Sequence, residues 1–375
     1  MRIGLMAGNF KNAGDFLITQ RSHELMQMVY PDAEIIEIPR WISLEDRLDE
    51  INQLDALVFA GGPCYIPNIY PNKIPLVKDL DLIKAKLFVL GNGWWGGDTR
   101  NLLIYNYHFT SDTMKFLQRV ERDTKTLSCR DFYTVQILRN HGFQNVDMTG
   151  CPAWYDIKHV NETSIRADLN KDFKTICISD PAYITNFNQA KRVTLFIKEK
   201  FPKAKIKFIF HRGFEVDEAN AKAWNIKDTA LYDMISEIGV EIVNIENTSE
   251  GLCVYDDCDL HIGYRVHGHI YNLSQRNVSI LIEEDGRGAG VNQALGLTSI
   301  SAYDFDDKLP LDIILRTKKN ECNFDIENKY IEKNIDDYLY NLTRQNFMIL
   351  ENAFHTMKSY YPIMLNKIKS LEKFI

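Results

Sequence analysis

The chain has no sign of a disulfide framework. Its seven cysteines, at 64, 129, 151, 177, 253, 258 and 322, are odd in number, and none forms a CxxC pair. Cys253 and Cys258 have no second close pair to complete a zinc knuckle, so the set reads as reduced thiols of a cytosolic protein. Long apolar runs are missing too. Runs such as Leu87–Leu90 are strand length and far short of the ~20 residues of a membrane span. Met1 leads straight into a strand-like run, so no signal peptide is expected and the expected location is cytoplasmic. A basic excess is absent: 44 Lys and Arg stand against 51 Asp and Glu, a net charge of −7. That excludes the electrostatic footprint of a general nucleic-acid binder and leaves room for a local basic pocket around a small anion. There is no internal repeat, no low-complexity segment and no metal-ligand cluster.

What is present is ordinary globular composition, 45% hydrophobic and 25% charged, over 375 residues. That length suggests about two domains, each with its own core. Short apolar runs alternate with helical patterns. Arg2–Ala7, Glu34–Ile38, Ala56–Ala60 and Ala85–Leu90 read as strands, with helical stretches at Leu17–Val29 and from Ser43 to Leu54. After a polar stretch within 155–172 the style repeats. Lys174–Ser179, Lys205–Phe210, Glu241–Ile245, Leu260–Gly263 and Val278–Ile282 read as strands, and Ala190–Lys200 and Val266–Ser274 as helices. From Glu327 onward the pattern is helical. Alternation of this kind indicates an α/β fold with mainly parallel sheets, whose ligands bind at the carboxyl ends of the strands.

The chemistry-bearing residues fall at those ends. Gly8 to Asp15 joins the first strand to the first helix and is neither GxGxxG nor a Walker A loop. Asp15 reads either as the helix N-cap or as a carboxylate on a substrate hydroxyl. Gly61-Gly62-Pro63-Cys64 and the loop Gly91 to Asp98 follow the third and fourth strands. Trp94 and Trp95, in the second of these, either pack beneath it or offer a flat face to a sugar ring. The sharpest signal is Tyr264-Arg265-Val266-His267-Gly268-His269 at a strand–helix junction. Arg265 supplies a cationic fork for carboxylate or phosphate, and His267 a proton carrier at a helix start. His267 also has a purely structural reading. His267 and His269 are two apart on a helix and point away from each other, which argues against one shared metal ion. His211-Arg212 places a second guanidinium at a strand end of the same half.

Several short motifs occur in the order of a known family. They are Asn12-Ala-Gly14-Asp15; Ser128-Cys-Arg130-Asp131 with a helix to Leu138 and then Gly142; Thr149-Gly-Cys-Pro152-Ala153; Arg265-Val-His267; and the Val278–Ile282 strand before Gly286. Over residues 1 to about 300 the chain resembles the polysaccharide pyruvyl transferases. The resemblance implies a GT-B-like fold, two Rossmann-like domains facing a cleft, with a helical C-terminal segment packing back across them. The corresponding division is 1–160, the acceptor side by this resemblance, then 170–305, the donor side, then 306–375. It implies transfer of a carboxyethylidene (pyruvyl) group from phosphoenolpyruvate to two hydroxyls of a sugar in cell-surface polysaccharide such as exopolysaccharide or capsule, without metal or cofactor. On that pattern Arg265 and Arg212 belong to the donor site and His267 moves the proton; His269, from its own position, reads either as a further donor-site residue or as a structural one beside it. Asn12, Asp15, Trp94, Trp95 and Glu283 belong to the acceptor side. The chain departs from the family pattern at Cys151, Pro63, Gly268-His269-Ile270 and the acidic stretch Glu283-Glu284-Asp285.

Two other readings stay open at the sequence level. One is a glycosyltransferase of the same fold, with Arg265 and His267 on a nucleotide-sugar diphosphate and Glu283 or Glu284 on the ribose. The other is a non-catalytic glycan-binding module that relies on Trp94 and Trp95. The partners expected are a small-molecule donor and a sugar acceptor, lipid-linked or not, and no nucleic acid. The tail carries Lys358, Lys367, Lys369 and Lys373 among apolar residues. It reads either as a closing helix or as a peripheral contact with an anionic membrane.

Overall fold

A computed structural model of the chain describes residues 1–8, 12–96, 102–166, 172–214, 226–246, 249–304, 316–317 and 325–375. Of the positions singled out above, residues 9–11, Gly97, Asp98, Cys322 and part of the 155–172 stretch lie outside the described residues.

The N-terminal half is built on a parallel sheet of β1 (Arg2–Ala7), β2 (Glu34–Pro39), β3 (Ala56–Ala60) and β5 (Lys86–Leu90), in the order β2-β1-β3-β5. Two short parallel pairs extend it: β4 (Pro63–Tyr65) with β6 (Gly93–Trp94), and β7 (Leu127–Cys129) with β8 (Val146–Met148). Helices α1 (Ala13–Val29), α2 (Leu48–Ile51), α3 (Ser111–Thr124) and α4 (Phe132–Asn140) surround these strands. β3 is buried along its whole length, as the continuous run Ala-Leu-Val-Phe-Ala requires of a strand covered on both faces.

The second half is a six-stranded parallel sheet, ordered β11-β10-β9-β12-β13-β14. Its strands are β9 (Thr175–Ser179), β10 (Lys205–Phe210), β11 (Glu241–Asn244), β12 (Leu260–Gly263), β13 (Val278–Glu283) and β14 (Ile300–Ser301). The helices here are α5 (Phe187–Lys200), α6 (Ile226–Ser236), α7 (Val266–Ser274) and α8 (Gly286–Leu295), followed by α9 (Ile331–Arg344) and α10 (Met348–Lys369). The chain therefore forms two Rossmann-like halves.

Both sheets reverse direction of growth at an internal strand pair. From β1 the chain goes out to β2 and returns to β3; from β9 it goes out to β11 and returns to β12. The crevices outside β1/β3 and β9/β12 are where such sheets bind ligands. At the second, the strands approach closely: a Cβ on Gly263 would lie 2.5 Å from the Ser179 backbone nitrogen. The two crevices face each other, and backbone bonds cross between the halves. Ala13 N–H donates to His211 O (3.3 Å), and Gly286 N–H to Gly96 O (2.9 Å).

Helix α10 packs back on the N-terminal half. Tyr30 Oη donates to Ile368 O (2.9 Å), and the Tyr155 and Tyr361 rings lie 5.4 Å apart. Lys367 is buried, with Nζ donating to Thr126 O (3.1 Å) and lying 4.9 Å from the Phe88 ring centre. Lys358 Nζ donates to Asn161 O (3.1 Å). Two of the four tail lysines thus serve the protein's own packing, while Lys369 and Lys373 are exposed and have no such bond among the described residues. No helix among the described residues is long and apolar enough to cross a membrane.

Candidate functional site

The second sheet brings four strand ends to one rim. β9 ends at Asp180, β10 at His211-Arg212, β12 at Tyr264-Arg265, and β13 at Glu283-Glu284. Arg265 is the residue before α7, in extended conformation, so its side chain leaves the strand end just as the helix begins. Asp180 holds it by a two-pronged pair: Arg265 Nε donates to Oδ1 (2.7 Å) and Nη2 to Oδ2. Asp180 also accepts the His211 N–H (3.2 Å). A planar fork held this way is oriented before any ligand arrives. His267, at the second position of α7, reaches across to the N-terminal half. A Cβ on Gly14 would overlap its ring, so only glycine lets the start of α1 lie against it.

Between the halves lies a pocket of about 140 Å³. Asn12, Asp15, Arg40 and Arg130 enter from one side and Arg212, Arg265, His267 and Arg287 from the other. Five arginines meet in a chain of net charge −7. Asp15, Glu283, Glu284 and Asp285 line the pocket too, and Asp180 and Asp285 pair with Arg265 and Arg287, so it offers held guanidinium forks to a small polyanion instead of a bare positive field. Arg130 is 2% exposed and its Nε has no hydrogen-bond partner among the described residues. Burial and the nearby Arg265 and Arg287 lower the Arg212 guanidinium to about 10, which leaves it charged at neutral pH. His267 Nε2 also has no partner among the described residues. Burial is the main cause holding its pKa down to about 4; Asp15 acts in the opposite direction, and Arg130, Arg287 and Arg265 add to the depression. The protein's own groups therefore keep the imidazole neutral at pH 7. Glu284 accepts from Ala182 N–H (2.7 Å) and Asn186 Nδ2 (2.7 Å), and burial raises its carboxyl to about 7.

A second, wider groove of about 670 Å³ opens from this pocket. The two share Arg40, Pro63, Ala182, Arg212 and Arg287. Trp41, Trp95, Ile66, Pro67 and Ile69 give the groove an apolar, aromatic wall, and Lys73 lines it as well. Trp95 is 39% exposed, and its backbone carbonyl is fixed by the Tyr107 hydroxyl (2.9 Å).

The sequence-predicted residues divide accordingly. Arg265, Arg212, His267, Asn12 and Asp15 share one pocket, and Trp95 lies in the adjoining groove. Trp94 does not belong with them. It is fully buried, edge-on to Tyr107 and Tyr133 and beneath Gly286, so it packs under its loop instead of facing a sugar. His269 is likewise no donor ligand. It is buried beneath the pocket with Nδ1 on Ser279 Oγ (2.8 Å), and burial lowers its pKa to about 3. Glu283 borders the pocket, but its Oε1 accepts from Asn292 Nδ2 and Ser299 Oγ (both 2.7 Å), which ties the carboxylate to α8 and the segment before β14. The expectation that it handles acceptor hydroxyls is corrected on that ground. Asp15 is not the helix cap either: Asn12 takes that position, and its Nδ2 donates to Asp15 Oδ2 (2.8 Å). Arg40, Arg130, Arg287 and Asp180 were missed as site residues. Arg130 stood in a quoted motif, and Asp180 follows a strand end, the one local signal it carries. No group of three or more metal-ligating side chains occurs among the described residues.

Comparison with known proteins adds the following. The family model for polysaccharide pyruvyl transferase matches residues 12–276. No curated protein sequence matches the chain. Among solved structures, TcCGT1 in complex with UDP is 10% identical, with 100% of this chain and 99% of that one covered and a TM-score of 0.49. UDP-GlcNAc 2-epimerase from Methanocaldococcus jannaschii is 12% identical, covering 91% and 100%, at 0.44. MnaA from S. aureus with UDP is 9% identical, covering 92% and 97%, at 0.45. Likeness at these scores says nothing about substrate.

Proposed function

Because the chain belongs to the polysaccharide pyruvyl transferase family, we propose that it transfers a carboxyethylidene group from phosphoenolpyruvate to two hydroxyls of a saccharide, forming a ketal and releasing inorganic phosphate. One observation carries this reading beyond the family match. A histidine whose Nε2 has no partner among the described residues stands in a pocket that five arginines help to line.

Phosphoenolpyruvate bears a carboxylate and a phosphate. Arg265, oriented by Asp180, and Arg212 take one end, and Arg130 and Arg287 complete the cationic ring. His267 gives its proton to the terminal enol carbon, which becomes the methyl group. The adjacent carbon, now electron-poor, takes the first sugar hydroxyl, whose proton returns to His267. The carbon–oxygen bond to phosphate breaks, the second hydroxyl attacks the same carbon, and its proton leaves with the phosphate. The donor lies against the C-terminal half. The acceptor lies in the groove along Trp95 and Trp41, with Asp15 and Asn12 at the meeting point.

Melting-temperature shifts test the donor. A ligand that binds only the folded state stabilises by about 2.7 kcal/mol at 100 times its Kd. The expected result is a shift with phosphoenolpyruvate that disappears in Arg265→Ala. A shift with UDP, GDP or CMP and none with phosphoenolpyruvate would replace this reading with a nucleotide-sugar donor.

A further inference from the structure

The groove's charge says more about the acceptor than its shape does. It is lined by Arg40, Lys73, Arg212 and Arg287, and by no aspartate or glutamate among the described residues. Yet acidic residues outnumber basic ones in the chain, 51 to 44. Arg287 is partly neutralised, since Asp285 receives it through Nε (3.0 Å) and Nη2 (2.6 Å). Arg212 belongs equally to the donor pocket. Lys73 belongs to the groove alone. It is exposed, and no carboxylate among the described residues pairs with it. Its backbone N–H is bonded to Ile69 O (2.8 Å), so the stem rises from a fixed turn beside the apolar wall. Arg40 borders both cavities and its backbone is pinned to Ala7 O (3.2 Å).

A neutral glycan needs an aromatic face and hydrogen-bonding groups of both kinds. A groove that offers aromatics and cations without carboxylates favours a saccharide with charge of its own. At about 670 Å³ it has room for more than one sugar ring, or for a ring and a phosphate.

We propose that the acceptor is an anionic saccharide, with a phosphate or carboxylate close to the ketalised ring and held at the Arg40–Lys73 side of the groove. This inference rests on the ketal-transfer reading above.

Calorimetry on the full-length His267→Asn variant saturated with phosphoenolpyruvate tests it, because the wild type would turn over any true acceptor. The probes are hexose 1-phosphates, hexuronates and neutral methyl hexosides of matched gluco, galacto and manno configuration. At least one anionic sugar should bind about fivefold or more tighter than its neutral counterpart, as a partly screened ion contact allows. Lys73→Glu added to that variant should abolish the preference while the melting temperature and phosphoenolpyruvate affinity stay unchanged. Preference for phosphates alone, or for phosphates and uronates together, supports the proposal and names the anion. No anionic sugar outperforming its neutral counterpart overturns it, as does a preference that survives Lys73→Glu. Absence of phosphoenolpyruvate binding by the wild type would instead overturn the ketal-transfer reading, so the two failures are separable.

Discussion

Donor binding should carry a proton onto His267. Burial, the main cause, holds the imidazole down to about 4, so without added negative charge about one molecule in 1,000 carries the proton at pH 7. A general acid working near neutrality needs a pKa ~3 units higher, equivalent to ~4 kcal/mol. Phosphoenolpyruvate supplies the charge to do it. Each negative charge ~6 Å from the ring contributes about 3 kcal/mol at an effective dielectric of ~20, so two charges suffice. The assay is titration calorimetry at about pH 7.5 in buffers of different ionisation enthalpy, for wild type and His267→Asn. The slope against buffer enthalpy counts protons. Wild type should take up ~0.2–0.8 proton more than the variant, a difference from which whatever the donor phosphate itself loses cancels. Equal uptake by both would refute the assignment of His267 as the acid.

Three further outcomes follow from the geometry. Asp180→Asn leaves the Arg265 fork unheld and should raise the KM for phosphoenolpyruvate by about tenfold; a lower KM would mean that removing a negative charge outweighs losing the orientation. Burial lowers the pKa of His269 to about 3, so the unfolded chain protonates there first, and this residue's contribution to stability is present above its unfolded pKa near 6.5 and lost as pH falls towards 3. His269→Asn should therefore lose ~2 kcal/mol less stability than wild type between about pH 6.5 and 5, measured by denaturant melts at each pH. Trp94→Ala should cost about 3–5 kcal/mol of stability. Trp95→Ala should melt like wild type and raise the KM for the acceptor, and the reverse pattern would invert the assignment of the two rings.

The strands were legible because their apolar runs are short and bounded by glycine or charge. Arg2–Ala7, Ala56–Ala60, Lys205–Phe210 and Leu260–Gly263 occur as read. Helix starts were less so. Helix α1 begins at Ala13 instead of Leu17, because Asn12 and not Asp15 occupies the capping position. Arg265 and His267 were readable because strand end, fork and helix start adjoin in sequence. Arg40, Arg130 and Arg287 come from three separate elements, and nothing local marks them as converging. The tryptophan pair shows what sequence leaves open. Neighbours leaving a strand face opposite sides, so one of the two had to be buried. Only the packing of Tyr107, Tyr133 and Gly286 around Trp94 decides which. His269 is the opposite case. Two residues along a helix from His267, it had to face away from the pocket, towards the sheet where Ser279 meets it.

The most direct test of the account is the reaction itself: phosphoenolpyruvate and a panel of anionic and neutral saccharides, assayed together for phosphate release and for acceptor mass. The account predicts acceptor-dependent phosphate release, matched mole for mole by acceptor carrying one carboxyethylidene group, and loss of both in Arg265→Ala. Release of a nucleoside diphosphate from a nucleotide-sugar, with phosphoenolpyruvate left intact, would contradict it.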